Sequence, residues 1–196
     1  MRRRVLLAAP LAVAGCGLET RPYVERRQWP LLVRRPQALP PLAGRRVLLV
    51  RSFIAGPGMH ARGLQSLQPD GSIRTDFYEE WSVPPAQAVE EAVRNWLAGS
   101  GLFSAVLAPG SRLQADLVLE GELGALWTVP AANLARAVAG ITLVAEIGTA
   151  TRLVLQRRVE GEAALTGRSA EDESAAMTAA VGVLCGRVEE AVRGGV

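Results

Sequence analysis

The sequence predicts an α/β (α+β) protein: a single two-layer domain with a mixed, mostly antiparallel sheet packed against two helices. Three observations predict it. Two stretches, after Pro84-Pro85 and after Ser169, carry apolar residues at helical spacing. Three consecutive stretches between Ala115 and Gln156 alternate apolar and polar residues. The helical stretches are separated by runs of strand pattern, so each helix must bury its apolar stripe against a sheet.

The elements follow in order. Leu31-Leu32-Val33 reads as a short first strand, and residues 34–44, with Pro36, Pro40 and Pro41, as a stiff extended connector. Val47-Leu48-Leu49-Val50 is an apolar run bounded by arginines, which suits a strand buried on both faces. Ala61–Leu67 and Ser72–Trp81 flank Pro69-Asp70-Gly71, where proline presets φ and glycine supplies φ > 0, a hairpin signal. Ile73, Thr75 and Phe77 there alternate with Arg74, Asp76 and Tyr78.

Pro84-Pro85 opens the first helix, because proline in a first turn gives up no hydrogen bond. Val89, Ala92, Val93, Trp96 and Leu97 form its stripe, and Gly99-Ser100-Gly101 ends it. Leu102–Leu107 reads as a strand. Leu117, Leu119 and Leu123, then Ile141, Leu143, Ala145 and Ile147, then Leu153 and Leu155, mark the apolar faces of three successive strands, expected as antiparallel neighbours. Ser169-Ala170-Glu171-Asp172 is a capping-box pattern with Asp in the fourth place. Met177, Val181, Leu184, Val188 and Val192 form the second stripe, and Gly194-Gly195 ends that helix. Two helices and five to seven strands are expected.

The opening segment sets the location. Arg2-Arg3-Arg4 precedes an apolar run, Val5–Ala14, too short to span a bilayer. Together they read as a secretory signal. Val13-Ala14-Gly15-Cys16 resembles the bacterial lipobox, in which cleavage leaves the cysteine as an acylated N-terminus. Several acyl chains hold firmly where one is marginal. Gly17, not Asp, follows Cys16, which by resemblance to proteobacterial sorting favours the outer membrane. The expected organisation is a lipoprotein signal peptide at 1–15, a tether at 16–30 and the α/β domain at 31–196.

Charge excludes one class of partner. The chain has 22 arginines, no lysine, 19 acidic residues and net charge +3. Removing Arg2, Arg3 and Arg4 leaves 19 cations against 19 anions. A near-neutral domain gives no basic footprint for nucleic acid. With Cys16 acylated, Cys185 stands alone and has no partner for a disulfide. Its place on the second apolar stripe reads as a buried, inert thiol.

Few residues in the chain could carry chemistry. His60 is the one histidine, and any triad would need it. Gly167-Arg168-Ser169-Ala170-Glu171 lacks the second glycine of a nucleophile elbow. One histidine and one free cysteine match no zinc spacing. Asp76/Glu79/Glu80 and Asp116/Glu120/Glu122 read as solvated strand faces more readily than as acid–base pairs. The expectation is no enzyme, no cofactor and no metal. Trp29, Trp81 and Trp127 fall at element edges and are the candidate partner- or lipid-contacting residues; Trp96 lies on a core stripe.

The order of features carries a resemblance. A lipobox cysteine is followed by Trp29-Pro30-Leu31-Leu32-Val33, the Val47–Val50 strand, Glu80-Trp81-Ser82-Val83-Pro84-Pro85, a helix to Trp96-Leu97, and Ser100 to Leu107. With Trp81-x-x-Pro84 before the helix and Phe103-x-x-Val106 after it, the chain resembles the ABC-type transport auxiliary lipoproteins, the family of paraquat-inducible protein C. The resemblance implies an outer-membrane lipoprotein facing the periplasm. It would serve lipid transport between membranes beside an inner-membrane permease and ATPase and an MCE (mammalian cell entry) domain protein, with homo-oligomerisation open. The alternative is a lipoprotein that activates or assembles a peptidoglycan synthase or another outer-membrane machine.

Overall fold

The computed structural model describes residues 23–41, 45–148 and 150–195. The expected fold class holds: one mixed sheet carries two helices on one face. The sheet has nine strands, more than the five to seven expected.

A long meander forms its centre. β7 (Leu117–Val129), β8 (Leu134–Ile147) and β9 (Ala150–Ala164) pair antiparallel in sequence order. A short 3-10 turn, Pro130–Ala132, joins the first two, closed by Asn133 at φ 50°. Asparagine tolerates that left-handed conformation better than most residues.

The other edge of β7 is shared by three short parallel strands in succession. β2 (Val47–Val50) lies against Leu117–Leu119, β3 (Ile54–Ala55) against Glu122–Leu123, and β4 (Gly63–Leu67) meets Thr128. β6 (Ala105–Leu107) adds parallel to β2. β5 (Ile73–Trp81) pairs antiparallel with β4, as the hairpin signal requires. β1 (Arg27–Trp29) then adds parallel to β5. Most of the ladder length is antiparallel, but the additions around β2, β3, β4 and β1 are parallel.

β1 corrects two expectations. Residues 27–29 belong to the sheet, so the folded part starts inside the span read as tether. Leu31-Leu32-Val33 is not a strand. The cause is side-chain pairing that no periodicity reports. Arg27 Nε and Nη2 donate to Glu79 Oε1 at 2.8 and 2.6 Å, Trp29 Nε1 donates to Glu79 Oε2 at 2.8 Å, and Gln28 Nε2 donates to Glu80 Oε1 at 3.0 Å. The strand expected over Leu102–Leu107 is likewise shorter, since only Ala105–Leu107 joins β2.

α1 (Pro85–Ala98) starts with proline in its first turn and buries Val89, Val93 and Leu97. α2 (Ala170–Arg193) has the full capping box: Asp172 N donates to Ser169 Oγ at 3.1 Å, and Ser169 N donates to Asp172 Oδ2 at 3.2 Å. Glu171, Asp172 and Glu173 occupy its first turn, where the dipole favours negative charge. All five stripe residues, Met177 to Val192, are wholly buried. Each such side chain contributes about 1.5–3 kcal/mol.

α2 comes close to the sheet because the strands beneath it are bare. The inward positions of β8 include Ala135, Ala137, Ala139 and Ala145. On β9, Gly161 lies directly beneath the helix: a Cβ there would overlap the Ala180 carbonyl oxygen and the Leu184 backbone nitrogen. Small residues at this layer let two backbones meet, as at any tight helix–sheet contact.

Candidate docking surface

Cys16, the expected lipid attachment site, lies outside the described residues. The three tryptophans expected at a contact surface divide. Trp81 is 1% exposed at the end of β5, a core residue and not a surface one. Its side chain packs in the hydrophobic core, and its backbone N donates to the Arg62 carbonyl at 2.7 Å. Trp29 is half-buried, with its indole N–H held by Glu79. Trp127 is half-buried on β7; its Nε1 has no hydrogen-bond partner among the described residues. Trp29 and Trp81 are register partners across β1 and β5, but Trp81 is buried and Trp127 lies apart on β7, so the three do not form one surface patch.

Most of the acidic residues singled out in the sequence hold partners in the fold. Glu79 and Glu80 fasten β1, and Glu80 also accepts from Arg62 Nη2 at 2.7 Å. Asp116 Oδ2 accepts from Val47 N at 2.7 Å and helps set β2 beside β7. Glu120 pairs with Arg51 at 2.6 Å. His60 is exposed on the loop before β4. Among the described residues, no three His, Cys, Asp or Glu side chains gather as metal ligands would.

Cys185 is wholly buried on α2, and burial pushes its thiol up to about 12. The thiolate is the reactive form, so the folded protein protects it. In the Cys16→Ser chain, Ellman's reagent at pH 8 is expected to find no accessible thiol in the folded state and one after denaturation. Fast labelling of the folded chain would contradict this burial.

Two open surfaces have useful shape. One is a depression of about 390 Å³ on the sheet face away from the helices, between Glu120, Glu122, Thr142 and Arg158, floored by Gly121 and Gly140. The other is a mainly apolar groove of about 600 Å³ where Trp29, Leu32 and Val33 run beside Ala175, Ala179 and Gly182 of α2. Leu32 and Val33, in the run read as a strand, in fact line one wall of that groove, and Leu31 packs against the core. No described helix is long and apolar enough to cross a membrane.

Sequence reading missed the exposed aromatics of β5. Phe77 is 65% and Tyr78 42% exposed. Alternation set Phe77 on the face opposite Tyr78, but both rings are exposed where β5 leaves its β4 ladder. The break depends on Gly63, distant in sequence, leaving room for the Asp76 carbonyl oxygen, so no local signal marks it.

The chain matches no family model and no curated protein. Its fold is similar to solved structures. A protein of Xanthomonas campestris, described by the family model DUF330, aligns with TM-score 0.71 and 16% identity over 85% of this chain and 94% of its own. A protein described only as uncharacterised aligns with TM-score 0.67 and 10% identity over 86% of this chain and 99% of its own. A hypothetical protein of Chlamydia trachomatis gives TM-score 0.51 and 11% identity over 77% and 95%. At these identities the likeness establishes the class of fold, a two-layer mixed sheet with two helices, and nothing finer.

The resemblance to the paraquat-inducible protein C family is corrected by these findings. No family model matches, and the family description among the structural neighbours is DUF330. The motifs behind the resemblance have packing explanations. Trp81 and Phe103 are core residues, 1% and 3% exposed, and Pro84 is the residue on which α1 starts. Such residues mark a sheet–helix corner more than a particular family.

Proposed function

We propose that the chain is an acyl-anchored envelope lipoprotein of the outer membrane, and that its domain works by docking a partner and not by catalysis. The observation that carries this is Val13-Ala14-Gly15-Cys16 behind a basic cluster and a short apolar run. Support for docking comes from the acidic side chains of β5 and β7, most of which are engaged in fastening strands.

The narrower role we propose is holding the periplasmic end of a transport machine at the membrane. An MCE-domain protein served by an inner-membrane permease and ATPase is the partner to test first. The short link supports a partner that itself reaches the outer membrane. Only ten residues separate Cys16 from Arg27, about 36 Å when fully extended. An activator that must cross the cell wall to a synthase needs a longer one.

The test is expression of the full chain and of Cys16→Ser. Intact mass should show acyl chains on the first only, and the second should leave the membrane fraction on alkaline washing. The acylated chain should then co-purify with the MCE-domain protein of its own genome. Absence of acyl mass removes the anchor reading. Acylation with a cell-wall synthase as the co-purifying protein moves the docking role to that machine.

A further inference from the structure

β5 contains a large bulge that displays two aromatic rings. Gly63 of β4 is opposite Glu80, whereas Gln65 is opposite Thr75. Residues 76–79 therefore leave the β4 ladder. Both sides of the break are built for it. Gly63 leaves room for the Asp76 carbonyl oxygen, which any Cβ there would overlap. Asp76 Oδ1 accepts from Tyr78 N at 2.8 Å and Glu79 N at 3.0 Å, replacing lost ladder partners. Bulges of this kind re-aim side chains.

The outcome is an exposed aromatic patch. Phe77 and Tyr78 would point to opposite faces of a regular strand. Here their rings meet edge to face, 5.1 Å apart at 86°. The Arg26 guanidinium stands 4.2 Å over the Phe77 ring. Tyr23, 90% exposed, and Val24, 51% exposed, extend the patch along the chain leading to the anchor.

We propose that Tyr23, Phe77 and Tyr78, with Arg26, are a second membrane contact that rests on the headgroup layer of the leaflet holding the Cys16 acyl chains. The inference depends on the anchor reading above. Chain length argues for this occupant. Only six residues separate Cys16 from Tyr23, at most about 25 Å, so the patch begins within one leaflet's reach of the lipid surface. Composition agrees, since amphipathic rings and snorkelling arginines favour the membrane–water interface. Of the acids around the patch, Glu79 and Glu80 are paired with Arg27 and Arg62, Asp76 accepts from the Tyr78 and Glu79 amides, and Glu25 lines the patch beside Arg26, so the charge of the patch itself is balanced and its pull on the headgroup layer rests on the rings. A protein strand fits less well, because the bulge and the Asp76 carboxylate interrupt the β5 edge it would pair with.

The test uses the acylated full chain in vesicles of phosphatidylethanolamine with a minor fraction of phosphatidylglycerol. Intact mass first confirms the acyl chains, so failure of the anchor reads separately from failure of the contact. With Cys16 acylated and Cys185 buried, Tyr78→Cys carries the single reactive thiol for a polarity-sensitive dye. Gln156→Cys, on the outer face of β9, is the reference. Headgroup-borne quencher is expected to quench the dye at 78 several-fold more than at 156. Tyr23→Ser with Phe77→Ser should lower that difference to near nothing while leaving thermal unfolding unchanged. Equal quenching at the two positions overturns the proposal. So does protection at 78 that appears only when a second protein chain is cross-linked to it.

Discussion

Gly161→Ala is expected to lower the unfolding free energy by about 3 kcal/mol, the upper end of ordinary overpacking costs. For a chain of this size that is a drop in Tm of roughly 6–12 °C. The added methyl meets the Ala180 carbonyl and the Leu184 backbone nitrogen, so no side-chain rotation relieves it. Either α2 lifts from the sheet or β9 bends away. Lifting α2 loosens Met177, Val181, Leu184 and Val188 together, because all four are wholly buried on the same face. Gly140→Ala is the matched control. It sits on β8 with open space where its Cβ would go, and is expected to change stability by less than about 0.5 kcal/mol. Denaturant unfolding of the two variants measures the difference. Equal effects would mean that α2 does not lie as close to the sheet as described.

How far the sequence discloses this fold depends on what holds each element. α1 and α2 are legible because stripe, proline start and capping box act within a few residues. The meander is legible because its inner face is apolar throughout. The alternation fails where the ladder slips. A register shift between Leu143 and Val144 opposes Leu155 to Leu143 and Leu153 to Val144, so Leu153, expected on the inner face with Leu155, is 57% exposed. β1 and β3 were not legible. Three and two residues long, they are held by Glu79, Glu80 and the β7 edge, all distant in sequence. The edge-sharing of β2, β3 and β4 on β7 follows from a length mismatch that only pairing reveals. Of the candidate surface, the expectation at Cys16 rests on a linear code and needs no fold to be stated. The aromatic patch could not, because the Asp76–Gly63 bulge depends on two strands meeting.

Glu189→Ala is expected to cost about 3–5 kcal/mol, the range for breaking a buried charge pair by removing one partner. Glu189 lies on α2 with only 7% of its surface exposed. Its Oε1 accepts from Arg35 Nη2 at 3.0 Å and Arg193 Nη2 at 2.7 Å, and its Oε2 accepts from Trp96 Nε1 at 2.7 Å. The carboxylate thus joins α2 to α1 and to the extended segment ahead of β2. The two arginines differ in weight. Arg193 is 57% exposed at its side chain, so its loss should cost no more than about 1 kcal/mol. Arg35 is 17% exposed and also faces the Trp96 ring at 5.6 Å, so without Glu189 it is left as a half-buried uncompensated charge. Removing both charges, Arg35→Met with Glu189→Leu, should recover most of the loss, since apolar replacements of a buried pair are often neutral. Hydrogen exchange adds a local readout. Glu189→Ala should speed exchange at Leu39, whose N–H donates to the Gly99 carbonyl at the end of α1, before the sheet opens. If Arg193→Ala cost as much as Glu189→Ala, or if the double replacement recovered nothing, the junction would owe its stability to packing and not to the buried carboxylate.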